Sequence, residues 1–272
     1  MPLLVIMTAA PDRTKPDPKL LWQGGLSNEI AFWQRYLATE GGEWPGDFQR
    51  RLSPDTPLQK FVIRHLAQLP GSEFSILDVG AGPLTVLGKR WPGKRVRITP
   101  VDPLAAEYDR ILASLGIVPM IRTLECEGEQ LSSRFPPDSF DLVWSQNAVD
   151  HSYDPRLVIE QALTVVKNGG YVLLNHARNE GENEAYVGLH QWNFAMEDGA
   201  FVIWNPSMRI DMTRHLEPHA EVWGTEEAEV KGWIEVAIRK VANPSLWSRL
   251  TARVAKRVRA RRDARLARSR SV

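Results

Sequence analysis

The 272 residues set 34 Lys and Arg against 33 Asp and Glu, a net charge of +1, with 43% hydrophobic and 25% charged residues. This length suits one large domain with appendages, and the composition excludes a wholly disordered or collagen-like chain. The single cysteine, Cys126, excludes an internal disulfide framework and a zinc site built from cysteines.

No apolar run approaches the ~18 residues of a membrane span. Leu3 to Ala10 are apolar, but no basic residue precedes them and Pro11 follows, so no secretion signal is expected and the cytoplasm is the expected compartment. Charge is unevenly spread. From Arg249 onward ten Lys and Arg stand against the single acid Asp263, while the rest of the chain is net acidic. A basic body for gripping nucleic acid is therefore not expected.

Residues 1–25 carry four prolines and little periodicity, and read as a mobile lead-in. Ser27 is a candidate cap for a helix to about Glu40, stopped by Gly41-Gly42. Thr56-Pro57 opens a second, with Leu58, Phe61, Val62, Leu66 and Leu69 at helical spacing. Together these read as a helical cap over residues 26–70.

From Phe74 short apolar runs alternate with helical stretches. Strands are expected at Ser75–Val79, Val96–Val101, Met120–Leu124, Phe140–Trp144 and Tyr171–Asn175. Helical segments are expected at Leu84–Arg90, Ala105–Leu115, Gln130–Arg134 and Pro155–Val166. Such alternation implies right-handed crossovers and a parallel sheet. An irregular, aromatic-rich stretch to Pro206 follows, then a short helix near Asp211–Leu216. Two final strands, Ala220–Thr225 and Trp233–Lys240, are expected to pair antiparallel. If Ser245–Ala260 is helical, Trp247, Leu250, Val254 and Val258 form an apolar stripe flanked by arginines. Such a helix can rest on an anionic membrane surface or pack on the acidic body.

The segment Ile76-Leu77-Asp78-Val79-Gly80-Ala81-Gly82 carries the strongest chemical signal. Here a strand enters a Gly-x-Gly turn, whose glycines permit positive φ and close ligand approach. In open α/β sheets ligands bind beyond the carboxyl ends of the strands. Asp102 ends the second strand, where a carboxylate can accept both hydroxyls of a ribose. Asp78 is placed to organise the turn or to meet an amino-acid moiety, and Glu127-Gly128 follows the third strand, where a carboxylate can accept from an adenine amino group. A dinucleotide fingerprint requires a third glycine where Thr85 stands. An acid-rich pocket without a phosphate cradle instead suits the cationic S-adenosylmethionine.

These residues resemble class I S-adenosylmethionine-dependent methyltransferases, especially the quinone-biosynthesis-like (type 11 domain) subgroup. The resemblance rests on Ile76 to Pro83, Val101-Asp102-Pro103, Glu127 to Leu131, Phe135 to Val143 and Val165 to Gly170, and covers about residues 73 to 176. It implies a Rossmann-like, doubly wound α/β fold: a mostly parallel seven-stranded sheet with an N-terminal helical cap and an insertion after strand five. The expected division is a methyltransferase domain over 71–243 and a basic tail over 244–272. It also implies a cofactor pocket lined by Asp78, Gly80, Ala81, Gly82, Asp102, Pro103, Glu127, Gly128, Ser145, Gln146 and Asn147.

On the acceptor side, His151 and His190 are the candidate catalytic residues, with Asp150 placed to orient His151 or to cap the next turn. His176, His190, Gln191, Trp192 and Asn193 are candidate substrate-binding residues, since mixed hydrogen-bonding and flat apolar surface suits a sugar or other polyol. They read equally well as the core of the insertion. No two histidines have helical metal-ligand spacing, so no metal site is expected. The expected function is methyl transfer from S-adenosylmethionine to a small-molecule or glycan hydroxyl. The alternatives are a non-catalytic protein binding the same cofactor and a nicotinamide-dependent oxidoreductase. Besides the acceptor, no nucleic-acid partner is expected, and peripheral membrane contact through the tail is one of its two readings.

Overall fold

A computed structural model describes residues 17–225, 228 and 230–241. Three helices come first: α1 (Pro18–Ala38), α2 (Pro45–Leu52) and α3 (Lys60–Leu66). Then follow β1 (Glu73–Val79), β2 (Arg95–Asp102), α4 (Ala105–Leu115), β3 (Leu124–Glu125), α5 (Leu131–Arg134), β4 (Phe140–Gln146), α6 (Pro155–Val165) and β5 (Val166–Ala177). The remainder comprises α7 (Glu180–Asn183), β6 (Asn193–Glu197), β7 (Ala200–Asn205), β8 (Met208–Asp211), α8 (Met212–Leu216), β9 (Ala220–Thr225) and β10 (Trp233–Lys240).

Seven strands form one sheet in the order β3-β2-β1-β4-β5-β10-β9. β1 to β5 run parallel, and β10 pairs antiparallel with both β5 and β9. The chain winds outward one way from β1 and the other way from β4, so the switch point lies between these two carboxyl ends.

Alternate side chains of each strand enter opposite cores, which makes the central strands apolar on both faces. Leu77, Val79, Val143, Val172 and Leu174 pack with Ile159 and Leu163 of α6. Ile76, Leu142, Trp144 and Leu173 pack with Phe61, Val62 and Leu66 of α3 on the other side. Each large apolar side chain buried this way contributes roughly 1.5–3 kcal/mol.

Several expected elements change. α1 begins at Pro18, capped by the Asp17 side chain, so part of the segment read as mobile is helix and Ser27 lies inside it. α2 was not expected. The helix over Leu84–Arg90 is absent, because Leu58 N–H donates to Arg90 O while the Lys89 and Arg90 amides donate to Thr56 O. That backbone is spent on a β-type contact between Pro57 and Arg90. β3 keeps only two residues, paired with Val101 and Asp102. β5 starts five residues early, continuing through Gly169-Gly170. The irregular stretch contains a three-stranded antiparallel sheet, β6-β7-β8. The final antiparallel pair is as expected. The apolar stripe of the tail lies outside the described residues.

Candidate active site

The β1–turn segment bends over the carboxyl ends of the sheet. The Gly80 and Ala81 amides both donate to Val101 O, at 2.9 and 3.1 Å, tying the turn to β2. Gly80 and Gly82 sit at φ +72° and +63°, and neither has room for a side chain. A Cβ on Gly80 would stand 2.3 Å from the Ala148 Cβ, and one on Gly82 would stand 2.6 Å from the Trp33 ring.

Two buried carboxylates brace this turn. Asp102 Oδ2 accepts from Gly82 N at 3.1 Å and Oδ1 from Leu104 N at 2.9 Å. Burial pushes Asp102 up to about 7, against the pull of those two amides. Asp78 Oδ2 accepts from the Thr85 hydroxyl at 2.5 Å, and burial holds it at about 6. Thr85 therefore occupies the third-glycine position to hold Asp78, and its oxygen also accepts from Leu87 N.

A cleft of about 900 Å³, counting its open mouth, lies at the switch point. Of the expected cofactor residues, Asp78, Gly80, Ala81, Gly82, Asp102, Pro103, Gly128, Gln146 and Asn147 line it, as does His151. Glu127 and Ser145 are not among the lining residues. Both Glu127 oxygens meet Lys19 Nζ, at 2.6 and 2.5 Å, and Tyr153 and Gln130 also donate to this carboxylate. Glu127, expected to face the adenine, ties Lys19 of α1 to the end of β3. Ser145 is buried in β4.

The expected acceptor residues divide. Gln191 donates to Tyr186 O and Gly188 O, holding a turn. Trp192 is buried and donates to Ser152 O. Asn193 is fully buried, accepting from Glu182 N and donating to the Tyr186 hydroxyl. These hydrogen bonds are in line with the alternative reading of the three as the insertion's core. His176 is also buried, its Nδ1 lying 3.1 Å from Asp150 Oδ1.

His151 and His190 meet across the fold, with Nε2 and Nδ1 at 3.0 Å and rings nearly perpendicular. Asp150 Oδ2 lies 3.6 Å from His151 Nε2. Glu29 and Glu180 stand 3.9 Å from His151 Nδ1 and His190 Nδ1 respectively. Burial alone would raise Asp150, but the neighbouring His151, His176 and His190 outweigh it and hold the carboxyl at about 2. Burial would lower His151; Asp150, Glu29 and Glu180 reverse this and raise it. Donor atoms of Asp150, His151 and His190 all lie within 4.8 Å of one another, a grouping that helical spacing rules did not anticipate.

Sequence reasoning missed Trp22, Glu29, Trp33, Arg51 and Tyr108, all of which line the cleft. Most come from α1 and α2, whose register against the sheet leaves no local signature. Glu29 also accepts from Trp33 Nε1 at 2.7 Å, and Arg51 donates to Leu84 O at 2.6 Å.

Positive-φ glycines closing β1, a carboxylate closing β2 and a cleft at the switch point fit an adenosine cofactor. Residues 77–174 match the family described as "Methyltransferase domain", so this part of the chain is similar to that family. The chain is 30% identical over 142 residues to a ubiquinone biosynthesis O-methyltransferase of Albidiferax ferrireducens. The match takes in 51% of this chain and 54% of that one, so the chain spans about half the length of this relative. Solved structures with a similar arrangement include a SAM-dependent methyltransferase from Methanosarcina mazei, at 18% identity and TM-score 0.41, covering 65% of this chain and 97% of that one. Another is an S-adenosylmethionine-dependent methyltransferase from Clostridium acetobutylicum, at 12% identity and TM-score 0.41, covering 67% and 90%.

Proposed function

We propose that the whole chain transfers a methyl group from S-adenosylmethionine to a hydroxyl oxygen of a small-molecule acceptor. The observation that carries this reading is the cleft, with the buried Asp78 and Asp102 at the turn and His151 among its lining residues. The relative named an O-methyltransferase supports oxygen as the acceptor atom. Support for a sugar in particular weakens, since Gln191, Trp192 and Asn193 are occupied internally.

Bound S-adenosylmethionine would supply an activated methyl on sulfur. Asp102 would accept from ribose hydroxyls with the lone pairs that the Gly82 and Leu104 amides leave free. The Gly80–Gly82 turn would let the cofactor approach the backbone closely. Asp78 would favour the cationic amino-acid end by charge. Aligning two reactants and excluding water can supply up to roughly 7–11 kcal/mol. The proton of the acceptor hydroxyl has to leave, and the Asp150–His151–His190 group is the polar cluster placed to govern its loss.

Calorimetry with S-adenosylmethionine, S-adenosylhomocysteine and NAD tests the cofactor. Binding of both sulfur compounds and not NAD is expected; NAD alone binding would return the chain to the oxidoreductase reading. Incubation with methyl-labelled cofactor and a panel of phenols, sugars and hydroxylated lipids then tests transfer. Label appearing in an ether product is expected, whereas label found only on nitrogen or carbon would overturn the oxygen assignment.

A further inference from the structure

We propose that Asp150, His151 and His190 form a site for a first-row divalent cation beside the cofactor cleft. The inference rests on the reading above for its role, but not for its geometry.

The Asp150 carboxylate is 1% exposed, and neither oxygen receives an aligned hydrogen bond. Its nearest polar neighbours are His176 Nδ1, 3.1 Å from Oδ1, and His151 Nε2, 3.6 Å from Oδ2. A buried carboxylate without aligned donors is costly unless a positive charge stands against it, which the neighbouring imidazoles supply when protonated and a bound cation would supply when they are neutral. Its second oxygen faces the place where two imidazole nitrogens converge, His151 Nε2 and His190 Nδ1, 3.0 Å apart. Metal–nitrogen bonds are about 2.0–2.1 Å, which sets neighbouring ligand atoms roughly 2.9–3.4 Å apart in octahedral or tetrahedral geometry. The two nitrogens already stand at that separation, and the carboxylate, with its Oδ2 3.6 Å from His151 Nε2 and all three donor groups within 4.8 Å, would have to move inward to complete the set.

The surroundings complete the arrangement. Glu180 Oε1 lies 3.9 Å from His190 Nδ1 and accepts from Asn147 Nδ2 at 3.3 Å, placing a second carboxylate at the rim. Glu29 Oε2 lies 3.9 Å from His151 Nδ1, the ring nitrogen turned away from His190. At that distance Glu29 supplies negative charge behind the His151 ring and no hydrogen bond. Two imidazoles and a carboxylate favour zinc, cobalt, nickel or iron over magnesium or calcium, and leave coordination positions open.

Those open positions would take the acceptor oxygen. On coordination the acceptor hydroxyl loses its proton to solvent, because a cation lowers the pKa of a bound O–H. The oxygen lone pair forms the new O–C bond as the S–C bond breaks, with that electron pair staying on sulfur. The sulfonium becomes a neutral thioether and the acceptor becomes a methyl ether. The imidazoles then act as ligands and not as proton acceptors.

The full-length protein, stripped with a chelator and dialysed, is titrated with Zn²⁺ by calorimetry and with Co²⁺ by visible absorption. One equivalent is expected, with Co²⁺ bands marking imidazole and carboxylate ligation. His190→Gln and His151→Gln are each expected to weaken Zn²⁺ at least tenfold, while His190→Gln, at a position that is not among the cleft-lining residues, changes S-adenosylhomocysteine affinity less than threefold. Retained S-adenosylhomocysteine binding shows that the variants fold. Zn²⁺ affinity unchanged in the double variant, or no stoichiometric binding by the unaltered chain, would overturn the site in favour of a plain imidazole–imidazole hydrogen bond. Cofactor binding without metal binding sinks this inference alone, and metal binding without cofactor binding sinks the proposed function alone.

Discussion

Asp102 spends both oxygens on backbone amides, and the proposed function asks it to receive a ribose as well. Burial holds its carboxyl at about 7, so near neutrality the free protein carries it partly protonated. A protonated carboxyl has lost acceptor capacity, so binding a ribose must expel the proton. The sign follows: affinity for S-adenosylhomocysteine rises as pH climbs through about 7, by up to roughly tenfold per pH unit on the acid side. Calorimetry in buffers of different ionisation enthalpy should register proton release near pH 6.5 and much less at pH 8.5. Asp102→Asn is expected to bind at least tenfold more weakly and to lose this pH dependence. An Asn variant that binds as well as the unaltered chain would remove Asp102 from the ribose site. The carboxylate was legible in the sequence because its place depends only on where β2 ends. The imidazole pair was not, because His151 and His190 are brought together by the return of the insertion over β4, not by spacing along the chain.

At the level of elements, legibility followed local signal. β1, β4, β9 and β10 were readable because each is a compact apolar run bounded by turn residues. The hairpin of β6 and β7 was missed although Asp198-Gly199 joins them, both at positive φ, a strong short-range hairpin signal when flanked by alternating apolar residues. Trp192, a candidate either for acceptor binding or for the insertion's core, is buried, as are its neighbours Phe194 and Phe201. The segment 84–90 erred the other way: its composition suits a helix, but tertiary pairing with 56–58 overrides propensity. Gly88 makes that pairing feasible. A Cβ there would stand 1.9 Å from Pro57 O, against backbone that cannot swing aside. Gly88→Ala is therefore expected to cost about 2–4 kcal/mol, read as a lower denaturation midpoint. The exposed Gly71→Ala, with nothing within 4 Å of the added carbon but φ at +113°, should cost less, about 1 kcal/mol. Equal stability of the Gly88 variant and the unaltered chain would mean that the 56–58 contact is dispensable.

Across the whole molecule, the cleft concentrates acids that burial keeps reluctant to ionise. Asp78 stands at about 6, Asp102 at about 7 and Glu129, held by the Tyr153 and Asp154 amides, at about 8, each raised chiefly by burial. In the unfolded chain all three ionise near pH 4. Between pH 4 and 8 the folded state therefore binds more protons than the unfolded one, and stability falls as pH rises through that window. The paired Asp141, held low by Lys167 despite its burial, acts below it, because its stabilisation is lost only as pH falls through its lowered folded value. His65 opposes the trend on the acid side, since burial lowers its pKa and the unfolded chain takes up protons more readily below about 6.5. Above that point the carboxylates act without that opposition. The melting temperature of the free protein should fall from pH 6.5 to 8.5, by about 3–6 °C for one to two kcal/mol in a chain of this size. The slope should be shallower in Asp102→Asn, which lacks one of the three groups. A ligand whose positive charge lies among these acids favours their ionised forms, so the thermal upshift from S-adenosylmethionine should grow over the same range. A melting temperature that is flat or rises between pH 6.5 and 8.5 would show that these carboxylates are solvated in the free protein, and that the cleft is not the dry, acid-lined pocket on which cofactor selectivity depends.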